Sequence, residues 1–167
     1  NACKKAGLGV GAYWYCYATN VDEAIREADM FTHSLEGMQF DYPVYLDMED
    51  KCQSRLGNSL RTKIAYAFMK RVESSGYYVG LYTMKSWLDN SFDMDKLKGF
   101  DLWVARWSSR SHGYNGPGLV GMWQYTNKAH FKGIGSTSEG GSDANVAYVD
   151  YPTIIKKKGL NNYGKKK

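Results

Sequence analysis

The stretch Pro43-Val44-Tyr45-Leu46-Asp47-Met48-Glu49 reads as a β-strand that ends in two carboxylates. Side chains alternate between the faces of a strand, so Asp47 and Glu49 point to one side while Met48 points to the other and can pack. Each carboxylate raises the proton affinity of its neighbour, and partial burial raises it further. Such a pair can keep one carboxyl protonated near neutral pH while the other stays ionised, as cleavage of a glycosidic bond requires. The alternative is a pair of solvated acids at an exposed strand end.

The composition is that of a globular protein with an unusual excess of aromatic residues. A chain of 167 residues suffices for one domain with a core, and 43% apolar and 23% charged residues are ordinary for a soluble fold. The 14 Tyr and 5 Trp exceed what such a core needs. Flat rings with a polar edge suit grooves that bind sugars, so the excess favours a groove, and a Tyr-rich core is the alternative.

The basic charge of the chain favours anionic partners. The net charge is +5, and six of the 22 basic residues lie in the runs Lys156–Lys158 and Lys165–Lys167. Nucleic acid, anionic lipid and an acidic cell wall are the candidate partners. We expect no nucleic-acid binding, because the basic residues are mostly terminal and no motif combines basic and stacking residues. Residues 156–167 are predicted to form a basic C-terminal tail or linker stub.

The Cys and His residues predict neither a metal site nor a cofactor. An odd number of cysteines excludes a fully paired disulfide framework, and neither residue type has the spacing of zinc ligands. The residues concerned are Cys3, Cys16, Cys52, His33, His112 and His130. No apolar run is long enough to cross a membrane, so no membrane insertion is expected.

Helical and strand patterns alternate through the first half of the chain. One predicted helix follows a cap at Thr19 or Asn20 and ends near Leu35, and another follows a cap at Asn58 and ends near Ser75. The stripes predicted to be buried are Ala24, Ala28, Phe31 and Leu35, then Leu60, Ile64, Phe68 and Val72. The predicted strands are 8–17, 43–49, 77–83, 100–107, 120–126 and 143–149. Because strands dominate the second half, the pattern favours an α/β barrel that has few helices there.

In such barrels the chemistry lies at the C-terminal ends of the strands. Polar and aromatic residues gather at those ends in this sequence. They are Tyr13, Tyr15, Asp47, Glu49, Tyr82, Arg106, Trp107, Gln124 and Tyr125. This grouping supports a catalytic role for the Asp47 and Glu49 pair.

Six segments in the same order resemble the family 25 glycoside hydrolases, the lysozymes of bacteria and their phages. They are Gly7–Tyr13, Pro43–Glu49, Gly80–Thr83, Leu102–Arg106, Met122–Thr126 and Asp143–Asn145. The resemblance covers nearly the whole chain. It implies a TIM-like, irregular (β/α) barrel and hydrolysis of the β-1,4 bond between N-acetylmuramic acid and N-acetylglucosamine in peptidoglycan.

The resemblance also implies roles for individual residues. Glu49 matches the general acid, and Asp47 matches a partner that acts as nucleophile, as electrostatic stabiliser or by orienting the substrate's acetamido group. Asp143 matches a further active-site carboxylate. The resemblance places Tyr13, Trp123 and Gln124 at positions that face the cleft. With the rim residues Tyr15, Tyr82 and Trp107, these are the residues expected to bind substrate.

The sequence departs from the family pattern at its start. The family opens with a strand that carries an active-site Asp, then a helix and a second strand, and the sequence contains no counterpart. The resemblance therefore implies a barrel domain at residues 1–155 that is incomplete at its N-terminus. The implied partner is bacterial cell-wall peptidoglycan. The resemblance implies a secreted enzyme or a phage endolysin, with a separate wall-binding domain beyond the C-terminus. The alternative functions are a non-catalytic wall-binding barrel and an inactive fragment.

Overall fold

Six strands form one sheet that curls into an incomplete barrel in the computed structural model, which describes residues 2–134 and 140–164. The strands are β1 Ala12–Tyr15, β2 Val44–Asp47, β3 Val79–Met84, β4 Asp101–Ala105, β5 Leu119–Ala129 and β6 Ser142–Ala147. Their spatial order follows the chain from β1 to β6. The first five strands are parallel, and β6 runs antiparallel to β5. The predicted α/β barrel is confirmed.

Helices lie on both faces of the sheet. They are α1 Ala2–Lys5, α2 Val21–Ser34, α3 Lys51–Ser54, α4 Asn58–Ser74, α5 Lys85–Asn90, α6 Met94–Leu97 and α7 Tyr151–Lys158. Asn20 caps α2, because its side chain accepts a hydrogen bond from the Glu23 N–H. The predicted stripe of this helix is buried from Ala24 to Leu35. Within residues 2–134 and 140–164, no helix is long and apolar enough to cross a membrane.

The α4 helix differs from its predicted pattern at its first turn. It begins at Asn58, and its N-cap is Gly57, which makes no side-chain capping hydrogen bond. Leu60 is 36% exposed, and the neighbouring Arg61 is only 4% exposed. The prediction that Leu60 is buried and Arg61 flanks it is therefore wrong. Apolar periodicity cannot anticipate an arginine that is buried because backbone carbonyls surround its guanidinium.

The chain up to Gly164 belongs to the folded domain, which corrects the tail predicted from residue 156. Lysines 156–158 form the last turn of α7. Beyond the helix, Asn161 is fully buried and donates hydrogen bonds to the carbonyls of Phe40 and Tyr42. Its side-chain oxygen accepts from the Tyr78 N–H at 2.7 Å. The Lys165–Lys167 part of that prediction lies outside the described residues.

A buried carboxylate joins α7 to the floor of the barrel. The hydroxyls of Tyr45 and Tyr151 donate to Asp101 Oδ1 at 2.9 and 2.7 Å. A side chain at Gly121 would overlap the Tyr151 hydroxyl and Asp101, so a glycine is required beside the cluster. Burial raises the pKa of Asp101 to about 6, and the two tyrosine hydrogen bonds oppose that shift. The carboxyl is thus more easily protonated in the folded protein than in an unfolded chain.

We expect the stability of the protein to decline as the pH rises from about 4 to about 6, and Asp101→Asn to reduce that decline. The carboxyl pKa is above its ordinary value of 3.8 in the folded state. The folded state therefore binds this proton more tightly, and the resulting stabilisation is present below the unfolded pKa and lost through the folded one. A shift of about two pKa units corresponds to about 3 kcal/mol. Urea unfolding of both proteins between pH 4 and 7 measures the difference, and equal slopes would contradict the expectation.

Candidate active site

Two carboxylates lie where β2 ends. Asp47 is the last residue of β2, and Glu49 follows two positions later. Met48 between them is fully buried in the core beneath the helices, as the alternation of strand side chains predicts. The register partners of Asp47 are Tyr15 of β1 and Tyr82 of β3. A tyrosine on each neighbouring strand therefore flanks this carboxyl.

Asp47 is a buried carboxyl that lacks hydrogen-bond donors. Its side chain belongs to a residue only 6% exposed, and its Oδ1 receives no hydrogen bond from any described residue. Burial, and then the negative charge of Glu49, raise the pKa of Asp47 to about 8. The carboxyl is therefore protonated in much of the population at neutral pH.

Glu49 is less buried and lies within the electrostatic reach of other acids. Burial raises its pKa first, followed by the negative charges of Asp143 and Asp50. Asp143 belongs to β6, so the fold brings an acid from the far edge of the sheet close to the end of β2. Among the described residues, none of Asp47, Glu49 and Asp143 forms a salt bridge. Without a paired cation, Asp47 and Glu49 have raised pKa values and retain protons more strongly than isolated acids do.

Tyr82, Trp107 and Gln124 form a hydrogen-bonded group beside these acids. Gln124 of β5 is 3% exposed, and its Oε1 accepts from the Tyr82 hydroxyl at 3.2 Å and from Trp107 Nε1 at 3.0 Å. Burial raises the pKa of Tyr82, and the charges of Glu49, Asp47 and Asp143 raise it further. The negative charges of the three acids thus act on the Tyr82 hydroxyl of this group.

Asp50 is a structural acid that the sequence analysis did not single out. Its side chain caps α3 by accepting from the Cys52 N–H at 2.8 Å, and it accepts from the Tyr15 hydroxyl at 3.1 Å. The hydrogen bond from the Cys52 backbone lowers the pKa of Asp50 most. An Asp directly before a helical stretch was the available signal. The pKa of Asp50 is thus lowered, whereas that of Asp47 three positions earlier is raised.

Tyr13 lines a groove between β1 and β6. The groove has a volume of about 380 Å³, and Tyr13 itself is 60% exposed. Its lining includes Tyr45, Trp103 and Asn145, and Trp103 Nε1 donates to Asn145 Oδ1 at 2.8 Å. Tyr15 is the register partner of Asp47, and Tyr13 lies two positions before Tyr15 on β1. Tyr13 is therefore on the same face of the sheet as Asp47.

Trp123 does not face the cleft, which corrects its predicted place beside Gln124. Consecutive residues of a strand point to opposite faces, so the two side chains cannot share one. Trp123 pairs with Val104, which is buried in the core under the helices. Its Nε1 donates to the Arg106 carbonyl at 2.8 Å, and its ring contacts that of Tyr125 at a centroid distance of 5.7 Å.

Arg61 stabilises the segment that follows the two acids. Its guanidinium donates to the carbonyls of Gln53, Ser54 and Leu56, with N···O distances from 2.6 to 3.2 Å. The Gln53 side chain in turn donates to the carbonyls of Cys16 and Ala18, just after β1. The segment after Glu49 is therefore tied both to α4 and to the strand that carries Tyr15. In the described ranges, no group of three His, Cys, Asp or Glu residues is arranged to hold a metal ion.

The comparisons with known proteins agree with this arrangement. The family model described as glycosyl hydrolases family 25 matches residues 1–134. The chain belongs to that family. The membership confirms the resemblance drawn from six short segments. The comparison of the sequence with curated proteins found no match.

Solved structures with a similar fold are cell-wall lytic enzymes. The CTP1L endolysin is 23% identical with a TM-score of 0.70, over 92% of this chain and 52% of that one. The Clostridium perfringens spore cortex lytic enzyme SleM is 23% identical with a TM-score of 0.69, over 87% and 51%. The autolysin LytC of Streptococcus pneumoniae is 26% identical with a TM-score of 0.68, over 79% and 33%. The chain thus spans about half the length of the first two and a third of LytC.

We expect Arg61→Met to lower the free energy of unfolding by about 2–4 kcal/mol, because it leaves the carbonyls of Gln53, Ser54 and Leu56 without this donor. Urea unfolding measures the loss. Lys63→Met is the matched control, since Lys63 is an exposed cation on the same helix. Equal stability of the two variants would show that the guanidinium does not hold the loop.

Proposed function

We propose that this chain forms the catalytic barrel of a peptidoglycan hydrolase that cleaves the β-1,4 bond between N-acetylmuramic acid and N-acetylglucosamine. The observation that carries the proposal is the Asp47 and Glu49 pair, in which burial and like charge raise both pKa values. Proton retention by paired carboxylates is what a glycosidase needs to protonate a leaving group near neutral pH. Family membership and the ligands of two similar structures add support. LytC and the Cpl-1 endolysin were solved with a synthetic peptidoglycan ligand and a peptidoglycan analogue.

Glu49 is the proposed general acid. Asp47 is the more deeply buried acid, and burial together with the charge of Glu49 favours its protonated form when the cleft is empty. A sugar ring over the partly exposed Glu49 would remove water from it, and desolvation favours the protonated form of a carboxyl. Binding thereby moves the proton to the more accessible acid, which donates it to the glycosidic oxygen as the bond breaks.

The ionised acids stabilise the positive charge that develops on the sugar. Once Asp47 has lost its proton, its carboxylate is a buried anion beside Glu49, with no cation among the described residues to neutralise it. Asp47 or Asp143 then acts directly on the oxocarbenium-like centre or orients the 2-acetamido group of the substrate. Both routes require the anion that this cluster supplies.

The aromatic residues around the acids form the proposed sugar-binding surface. Tyr13 and Trp107 are exposed and Tyr15 and Tyr82 are partly exposed, so the four rings are available to stack on pyranose rings. Gln124 contributes a polar contact from β5. The net charge of +5 assists approach to an anionic wall, which is a long-range and salt-sensitive effect. The proposed place of action is the bacterial wall, for a secreted enzyme or a phage endolysin.

We expect Glu49→Gln to reduce the release of reducing ends from purified peptidoglycan by at least about 100-fold, because the amide cannot protonate the leaving group. Circular dichroism verifies that the fold is retained. Glu36→Gln is the matched control, since Glu36 is an exposed glutamate that follows α2 and precedes β2, whereas Glu49 follows the end of β2.

Undiminished hydrolysis by the Glu49→Gln variant would remove Glu49 from the mechanism. If the unmodified protein sediments with peptidoglycan but releases no reducing ends, the chain acts as a wall-binding barrel instead.

A further inference from the structure

Trp107 determines which atom of Gln124 faces it. The indole Nε1–H is a donor and never an acceptor. The atom that it meets at 3.0 Å on the Gln124 amide must therefore be the oxygen, Oε1. The orientation of the amide, which is otherwise ambiguous, follows from chemistry at this position.

The same oxygen fixes the hydrogen of Tyr82. The Tyr82 hydroxyl lies 3.2 Å from Gln124 Oε1. A carbonyl oxygen only accepts, so the hydroxyl must be the donor. Its single proton points to β5, and the hydroxyl oxygen has only lone pairs left for its other neighbours.

Those neighbours are acids. Tyr82 is the register partner of Asp47, and the charges of Glu49 and Asp143 also act on its hydroxyl. Tyr15, on the opposite side of Asp47, commits its own hydroxyl proton to Asp50. Both tyrosines that flank Asp47 thus donate elsewhere, which accounts for the buried Asp47 Oδ1 that no described residue bonds.

We propose that Gln124, held by Trp107, is a positioning residue that draws the Tyr82 hydroxyl proton away from Asp47 and Glu49 and so helps the acid pair to keep its proton. A phenol that donated to either carboxylate would stabilise its ionised form and release that proton. The described titratable groups around the Tyr82 hydroxyl are Asp47 on β2, Glu49 after it and Asp143 on β6. Among the described residues, no lysine or arginine forms a salt bridge with any of these three acids. The catalytic consequence rests on the proposed function, but the direction of the Tyr82 hydrogen bond does not.

Carboxyl titration of the whole chain tests the inference without any activity assay. We expect Gln124→Met to lower the apparent pKa of the acid pair by about one unit, because Tyr82 loses its acceptor and turns its proton to a carboxylate. Trp107→Phe should lower it in the same direction, because the freed amide can present its NH2 group to Tyr82. Carbon-13 NMR of labelled Asp and Glu side chains measures the titration, and circular dichroism verifies folding.

Tyr82→Phe is the decisive control. In the wild type this hydroxyl gives the carboxyls no proton, so its removal should leave the apparent pKa of the pair nearly unchanged. The double variant Gln124→Met/Tyr82→Phe should lose the downward shift, since no hydroxyl remains to turn. The inference is overturned if Gln124→Met produces no shift, if Tyr82→Phe raises the pKa of the pair, or if the double variant still shifts.

The pH dependence of peptidoglycan hydrolysis separates this inference from the proposed function. If the function is correct, the alkaline limb of the rate profile moves down in Gln124→Met by the shift that NMR records. A carboxyl shift in a protein without hydrolytic activity would support the Tyr82 hydrogen bond and reject the function. A normal rate profile with hydrolysis intact, and no carboxyl shift, would reject the positioning role alone.

Discussion

The structure depends on the alternation of side chains along β2. Val44, Leu46 and Met48 are fully buried in the core beneath the helices, while Tyr45 and Asp47 point into the barrel. Burial of the three apolar side chains fixes the orientation of the strand, so Tyr45 and Asp47 must point into the barrel. The buried state of Asp47, with its raised pKa, is therefore supported by three apolar residues on the other face of the same strand.

The barrel interior contains two buried aspartates in opposite surroundings. At the floor, Asp101 accepts hydrogen bonds from Tyr45 and Tyr151, and these oppose the effect of burial, so its pKa rises only to about 6. At the mouth, Asp47 has tyrosines on both sides and a hydrogen bond from neither, and its pKa rises to about 8. The direction of a phenol proton thus distinguishes a carboxyl that holds the fold together from one suited to proton transfer.

Local patterns in the sequence were sufficient for the barrel and for the acid pair. Strand alternation and helical periodicity predicted β2, α2 and the side on which Asp47 lies. They failed where a polar group is satisfied by distant backbone, as with Arg61 in α4 and Asn161 after α7. The predicted place of Trp123 is wrong for another reason. The family resemblance puts it beside Gln124 in the cleft, but consecutive residues of β5 point to opposite faces of the sheet.

Hydrogen-bond direction was beyond the reach of sequence, since it arises from residues on three separate segments. Trp107 after β4 orients Gln124 on β5, and Gln124 then orients the hydroxyl of Tyr82 on β3. Both hydrogen bonds have ordinary lengths. The direction of the Tyr82 hydroxyl follows from which group in each bond is the donor. Because the indole of Trp107 can only donate, the Gln124 oxygen must accept from both Trp107 and Tyr82. The Tyr82 hydroxyl oxygen then has only lone pairs left for the acids. Proton retention at the cleft is thus a property of the barrel wall as well as of the two acids themselves.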